Sequence, residues 1–442
     1  MKNNRLSDLD IQVIDGDRGV NYPKEKDFSE KGFCLFLNAK NVTDNGFKFD
    51  ICQFISEEKD LILGNGKLNR LDIVLTTRGT VGNIAFYDEN IPFEHIRINS
   101  GMVLLRNQDY NIDHKYLHHF LKSSFLKEQI ERISFGSAQP QLTVKTINSI
   151  EISYPQQKET QRKIARILST ADAVIEKTQA AIVKYKAIKQ GMLNDLFTHG
   201  IDPATGKLRP TYEDAPELYK ESKLGWIPKE WSEGKFIDFA DERISHSFTG
   251  GPFGSDLQTK HYTSSGVRII QLQNIGDGVF NNGYKIYTSD EKANQLINCN
   301  IYHGEIIISK MADPIARACI IPDTEKRYLM ASDGIRLSID KKKFNSRFVM
   351  ETINHKRFRT IAELKATGST RARIGLSELR EIAVVYPCKK EQDAIGIKLD
   401  TVENKLQTEQ NYLHKMQQIK AGLMADLLSG KKKVNVDEEP VN

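Results

Sequence analysis

At 442 residues the chain is too long for one ordinary core, so two or three domains are expected. With 39% hydrophobic and 27% charged residues it reads as soluble, and no apolar run approaches the ~18 residues of a membrane span. The polar start MKNNRLSDLD is no secretory leader, and Cys34, Cys52, Cys299, Cys319 and Cys388 form no CxxC pair, which suits a reducing cytoplasm; the net charge of +5 permits a polyanionic partner without requiring one.

Taken in chain order, residues 1–153 read as a small α+β head. Short β-branched runs (Leu71–Leu75, Ile84–Tyr87, Gly101–Leu105) alternate with turn signals such as Gly64-Asn65-Gly66, and one helical stretch covers Tyr116–Ile133. Residues 154–198 read as one helix. No proline falls between Gln156 and Phe197, and Leu168, Ala171, Ile175, Thr178, Ile182, Tyr185, Met192 and Leu196 follow steps of three and four. About 40 residues of helix span roughly 60 Å.

Residues 199–223 are rich in Gly and Pro, which predicts a stop at Gly200 and an extended connector. A second head, 224–385, repeats the pattern with Val267–Leu272, Glu305–Ser309, Cys319–Ile321, the turn Asn281-Asn282-Gly283 and a helical stretch Arg347–Leu364. A second long helix covers 386–430, with Leu399, Val402, Leu406, Glu409, Leu413, Met416, Leu423 and Leu427 on its seam. The end, 431–442, reads as a disordered tail.

Self-comparison turns these parts into one module written twice. Gly136-Ser137-Ala138 through Tyr154-Pro155 recurs as Gly368-Ser369-Thr370 through Tyr386-Pro387, an offset of 232 (368 − 136). Lys189 to Leu196 matches Lys420 to Leu427 at 231 (420 − 189), and Ser100-Gly101 parallels Asp333-Gly334 at 233 (333 − 100). The seams of the two helices keep the offset of 231, and Lys189 and Lys420 interrupt them at the same place, as a register-fixing device would. Each helix either pairs with the other or packs on its own head; pairing is expected, because a lone amphipathic helix would expose its stripe. The fold expected is therefore α+β, a pseudo-two-fold tandem repeat with two heads separated by two long helices paired as an antiparallel coiled coil. Lys158, Glu159, Arg162 and Lys163, like Lys389, Lys390 and Glu391, read as faces turned to solvent or a partner.

These blocks, together with Leu208-Arg209-Pro210 and Leu224-Gly225-Trp226-Ile227-Pro228 before Trp231, resemble the specificity subunits of type I restriction-modification enzymes over nearly the whole chain. The first head departs from the pattern in lacking a counterpart of Leu224–Trp231. The resemblance implies that each head is a target recognition domain reading half of a split, asymmetric site in double-stranded DNA. It implies that the paired helices set the spacer and dock two modification subunits, which carry S-adenosylmethionine, and that restriction subunits carrying ATP and Mg join them. The outcome is adenine methylation or restriction in the cytoplasm, with no cofactor in this chain and no membrane partner. A methylation-only or phase-variable system is the alternative within the family.

DNA recognition needs side chains at base edges and cations at phosphates. Candidates in the first head are Arg18, Asn21, Tyr22, Lys24, Thr77 and Arg78; in the second they are Lys260, His261, Lys310 and Arg317. Each also fits a plain solvated surface position. Gln139 and Gln141 become Arg371 and Arg373 in the second copy, and glutamine suits adenine where arginine suits guanine. A polar loop touching only phosphate or a partner is the alternative. Leu168, Ile175, Ile182, Leu196, Leu399, Leu406, Leu413 and Leu427 are the partner-seam residues.

No catalytic constellation emerges. His114 and His118 lie four apart, but Lys115 stands where a zinc protease needs glutamate. Gly250-Gly251-Pro252-Phe253-Gly254 has no following Gly-Lys-Ser/Thr, and there is no Asn-Pro-Pro-Tyr/Phe motif. Acid–lysine pairs such as Asp72 with Lys67 or Glu305 with Lys310 are too common here to mark a nuclease. The expectation is a non-catalytic DNA-binding subunit; a head concealing nuclease or methyltransferase activity, and a coiled-coil adaptor without DNA, are the rivals.

Overall fold

The computed structural model describes residues 1–134, 141–311, 314–368 and 372–435. The chain divides into two compact units, Met1–Ala181 with Glu409–Asn442, and Ile182–Thr408.

In the first unit a four-stranded antiparallel sheet runs in the order Ile11–Asp15, Met102–Asn107, Ile73–Thr76, Ile84–Phe86. Side chains alternate across a strand, and both faces of this sheet are covered. Ile73 and Leu75 join one core with Val103 and Leu105, while Val74 joins another with Leu104. Burial on both sides is why the sequence shows a continuous apolar run instead of alternation. A three-stranded sheet (Phe54–Ile55, Cys34–Leu37, Ile96–Ile98) forms the second core's other wall, its last pair parallel. Strand Lys2–Arg5 pairs with Glu151–Tyr154.

The second unit has the same plan. Phe248–Gly250, Gly334–Leu337, Ile306–Ser309 and Ala318–Ile320 form the four-stranded sheet, and Ile306 and Ile308 face one core while Ile307 faces the other. A five-stranded sheet contains the parallel pair Val267–Ile270 and Tyr328–Met330. Ser232–Lys235 pairs with Ala383–Tyr386.

Each helical stretch expected in a head is broken in two. His114–Leu121 is followed by Ser124–Ser134, and Ser346–Asn354 by Lys356–Lys365. Ser123 Oγ donates back to the Phe120 carbonyl at 2.5 Å, and the His355 side chain caps the following helix by accepting from Arg357 N, so both breaks have a local cause.

The long helices are Lys158–Thr198 and Lys389–Leu428. Every seam residue named above is buried or half-buried. Packing on a head and pairing with the other helix occur together in each unit. In the first unit Ile164, Ala165 and Leu168 pack on the head and also meet Leu427 and Leu428, while Lys420 pairs with Asp172. In the second, Leu196 and Phe197 share a core with Ile395 and Leu399, while Lys189 pairs with Glu403. Rising numbers on one helix meet falling numbers on the other, so the pairing is antiparallel. The two seam lysines are thus engaged in equivalent bridges, since Glu403 is the counterpart of Asp172 at the same offset of 231 (403 − 172).

The connector is folded, not extended. Gly200 ends the helix with φ of +69°, Ile201 is fully buried and bridges to Leu208, and Tyr219–Ser222 forms a hairpin with Gly225–Pro228. The cause is Glu391, expected on a face turned to solvent or a partner but 1% exposed. Its carboxylate accepts from Arg209 Nη1 (2.6 Å) and Nη2 (2.9 Å), Ile201 N (2.8 Å) and Trp231 Nε1 (3.2 Å). At the C-terminus Lys432 N donates to the Asp426 carbonyl, so the described start of the tail continues the fold; residues 436–442 lie outside the described residues.

Candidate nucleic-acid interface

In the first head several loops converge at the end of strand Ile73–Thr76. Thr77 N and Arg78 N donate to the Gly101 carbonyl at 2.8 and 3.3 Å, and Leu142 N donates to the Thr77 carbonyl at 3.2 Å. Gly16 lets a further loop close in, since a Cβ there would stand 2.3 Å from the Asn99 oxygen. Arg18 Nη2 donates to Asp15 Oδ1 (3.0 Å) and the Ser100 carbonyl (3.3 Å). Exposed Arg78 meets exposed Gln141. With the carboxamide oxygen turned to the guanidinium, Arg78 Nη2 and Nε donate to it at 2.8 and 2.9 Å.

The second head rebuilds this junction with other side chains. Lys310 N donates to the Asp333 carbonyl (2.7 Å), Ile374 N to the Lys310 carbonyl (2.9 Å), and Gly251 N to the Gly334 carbonyl (2.8 Å). A Cβ on Gly251 would lie 1.9 Å from the Ala331 oxygen, the counterpart of the Gly16 approach. Arg373, its side chain 59% exposed, donates from Nη2 to Asp333 Oδ1 (3.1 Å) and from Nε to Met311 Sδ (3.3 Å). Lys310 Nζ donates to the Ser332 carbonyl at 2.9 Å; burial lowers its pKa, with Asp333 opposing and Arg373 adding to the shift. Beside it opens a cavity of about 330 Å³, walled among others by Phe253, Tyr262, Gln271, Gln273, Met311 and Asp333. Phe253 is 81% exposed.

Apart from Thr77, whose backbone lies in the first junction, the remaining candidates do not gather at these junctions, and some are structural. Thr77 is 2% exposed, so its side chain is spent in the core. Tyr22 packs edge-on against Phe36 at 5.8 Å. Asn21 is exposed and donates to the Ile62 carbonyl, and Lys24, also exposed, opens a short turn closed by Asp27. Lys260 is exposed, whereas His261 is half-buried with Nδ1 accepting from Gln258 N; loss of solvation, then Lys292 and Lys260, lower its pKa. Arg317 is half-buried, with Nη2 3.5 Å from the Leu272 carbonyl. Gln139 and Arg371 lie outside the described residues, so the comparison of copies rests on Gln141 and Arg373.

Two buried glutamines escaped the sequence reading. Gln161, 0% exposed, accepts from Asp113 N (2.8 Å) and donates to the Asn111 and Pro155 carbonyls (both 2.8 Å). Gln392, 1% exposed, accepts from Asn345 N (3.0 Å) and donates to the Lys343 (3.3 Å) and Pro387 (2.9 Å) carbonyls. Asp113 and Asn345 cap the helices His114–Leu121 and Ser346–Asn354. Each knot therefore fastens a long helix, its Tyr-Pro turn and a head helix together.

The residues weighed for chemistry have structural roles. Asp72 is held by Arg106 at 2.7 Å and Glu305 lies 3.4 Å from Arg336, so neither meets its supposed lysine. His118 stacks on Phe86 at 5.1 Å, and its neighbour His119 contacts Ser169 Oγ at 2.9 Å, burial bringing the His119 pKa down to about 4. Among the described residues no three His, Cys, Asp or Glu stand together as a metal site, and no helix is long and apolar enough to cross a membrane.

The family model for the type I restriction modification DNA specificity domain matches residues 10–185 and 271–418. The chain is 23% identical to the type I restriction enzyme MjaVIII specificity subunit of Methanocaldococcus jannaschii over 373 residues, 83% of this chain and 80% of that protein. It is 29% identical to the StySPI specificity subunit of Salmonella potsdam over 171 residues, 37% of this chain and 35% of that one. Its fold is that of the type I restriction-modification S subunit from M. genitalium, with a TM-score of 0.58 at 14% identity, covering 96% of this chain and 95% of the other.

Proposed function

The chain belongs to the type I restriction-modification DNA specificity family, and from that premise we propose that each head reads one half of a bipartite, asymmetric site in double-stranded DNA. DNA sequence recognition is the family's task; the division between heads is our reading. The observation that carries it is the junction built twice, with one backbone pattern and different exposed side chains. A shared scaffold with divergent tips is what reading two different half-sites requires.

The paired long helices set the spacer between half-sites and dock two modification subunits. Support comes from the glutamine knots, which deny each head independent rotation on its own helix. The chain supplies no catalysis itself. S-adenosylmethionine binds the modification subunits, ATP and Mg bind restriction subunits, and the assembly acts on adenine in the cytoplasm.

Methylome sequencing of the host with and without this gene tests the assignment. The expected result is one split motif whose methylation vanishes with the gene; an unchanged methylome, or loss of a continuous motif, contradicts it.

A further inference from the structure

Each junction exposes a guanidinium braced between its strand loop and its later loop, but the arginine comes from opposite loops. At the offsets of the repeat, Arg78 corresponds to Met311 (311 − 78 = 233) and Gln141 to Arg373 (373 − 141 = 232). In the first head the strand loop supplies the arginine and the later loop the amide that holds it. In the second the strand loop supplies Met311 and the later loop supplies Arg373. The cation has changed sides while the contact between the two loops has been kept.

The manner of holding is also the same. A guanidinium has a side edge, Nε with Nη2, and an end edge, Nη1 with Nη2. Arg78 gives its side edge to Gln141, and Arg373 gives its side edge to Met311 Sδ and Asp333 Oδ1. Among the described residues no hydrogen bond or ion pair engages Nη1 of either arginine, and both residues are exposed. An end edge fixed in direction fits two acceptors side by side, such as guanine O6 and N7. Asp333 also offsets the charge of Arg373, which weakens a purely electrostatic attraction to phosphate more than a directional pair of bonds.

We propose, building on the reading that each head recognises a half-site, that Arg78 and Arg373 are equivalent guanine readers, one per half-site, and that Gln141 and Asp333 position them. Gln141 is then no adenine reader, although its type alone suggests one.

The test uses the full chain in its complex with modification subunits and scores methylation across a library of single-base variants of its own target. Arg373→Ala should reduce discrimination roughly ten-fold or more at one G·C position in one half-site and leave the other half-site as in wild type. Arg78→Ala should do the same in the other half-site. Gln141→Ala should loosen that same position, not a separate A·T one. The untouched half-site reports folding in every variant. A uniform loss across all sequences with a shallower salt dependence makes the arginines phosphate contacts and overturns the proposal, as does an Arg variant with unchanged discrimination. A new loosened A·T position in Gln141→Ala overturns the assignment of Gln141. If wild type itself shows no split target, the half-site reading has failed instead.

Discussion

The first turn of each long helix carries a buried glutamine with the same three bonds, yet the residue before it differs completely. Thr160 precedes Gln161 and is half-buried, whereas Glu391 precedes Gln392 and anchors Arg209, Ile201 and Trp231. The glutamine serves what both units share, the joint between head and helix. Glu391 serves what only the second unit has, a folded connector entering from the first long helix. The repeat is thus preserved where geometry must be shared and broken where chain connectivity differs.

Glu391→Ala should have the largest effect of the variants that separate these roles. It leaves the Arg209 guanidinium buried without its main counter-ion, which costs about 3–5 kcal/mol. Thr160→Ala should stay within about 0.5 kcal/mol. Denaturant unfolding with hydrogen exchange followed in each unit reads both; equal losses would erase the distinction.

Gln161→Ala and Gln392→Ala should resemble each other, each costing about 1–3 kcal/mol by stranding the amide of the capping residue. The same unfolding measurement checks them. A large loss for one and none for the other would show that the knots are not equivalent.

Acid should strike both units. Burial brings the pKa of His119 in one unit and His355 in the other down to about 4, below the value near 6.5 of an unfolded histidine. A depressed folded pKa means the contribution to stability is full above about pH 6.5 and is lost as pH falls towards 4. Unfolding midpoints across that range should drop for wild type and drop less for His119→Gln and His355→Gln.

The smallest effect is expected of the seam bridges. Lys189→Ala and Lys420→Ala each remove a partly exposed pair and should cost ~1 kcal/mol or less, by similar amounts. Thermal melts of the two variants make the comparison; a several-kcal/mol loss for either would mean the bridge is a core element of its unit.

Much of this architecture was legible in the sequence because it rests on local periodicity. The three-and-four spacing of Leu168 to Leu196 gave the helix and its buried face, and the β-branched run Glu305–Ser309 gave a strand, whose burial on both sides only the fold shows. Polar residues buried by distant partners were not legible. Gln161 sits among charges, and its burial depends on Asn111 and Asp113, about fifty residues earlier. Glu391 follows two lysines and looks solvated until Arg209, 182 positions away, is brought to it. The candidate junctions were half legible. Residue type picked out Arg78, Gln141 and Arg373, but only the fold shows that Arg78 and Gln141 are one pair, that Asp333 holds Arg373, and that Thr77 and Tyr22 face inward.

Two differently tipped heads are expected to read two halves of one site. The most direct measurement is selection of bound duplexes from a fully random pool by the full chain in its complex, followed by sequencing. The expected result is two short constant blocks of unrelated sequence separated by a gap of fixed length and free composition. One uninterrupted block, a gap of varying length, or no enrichment would contradict it.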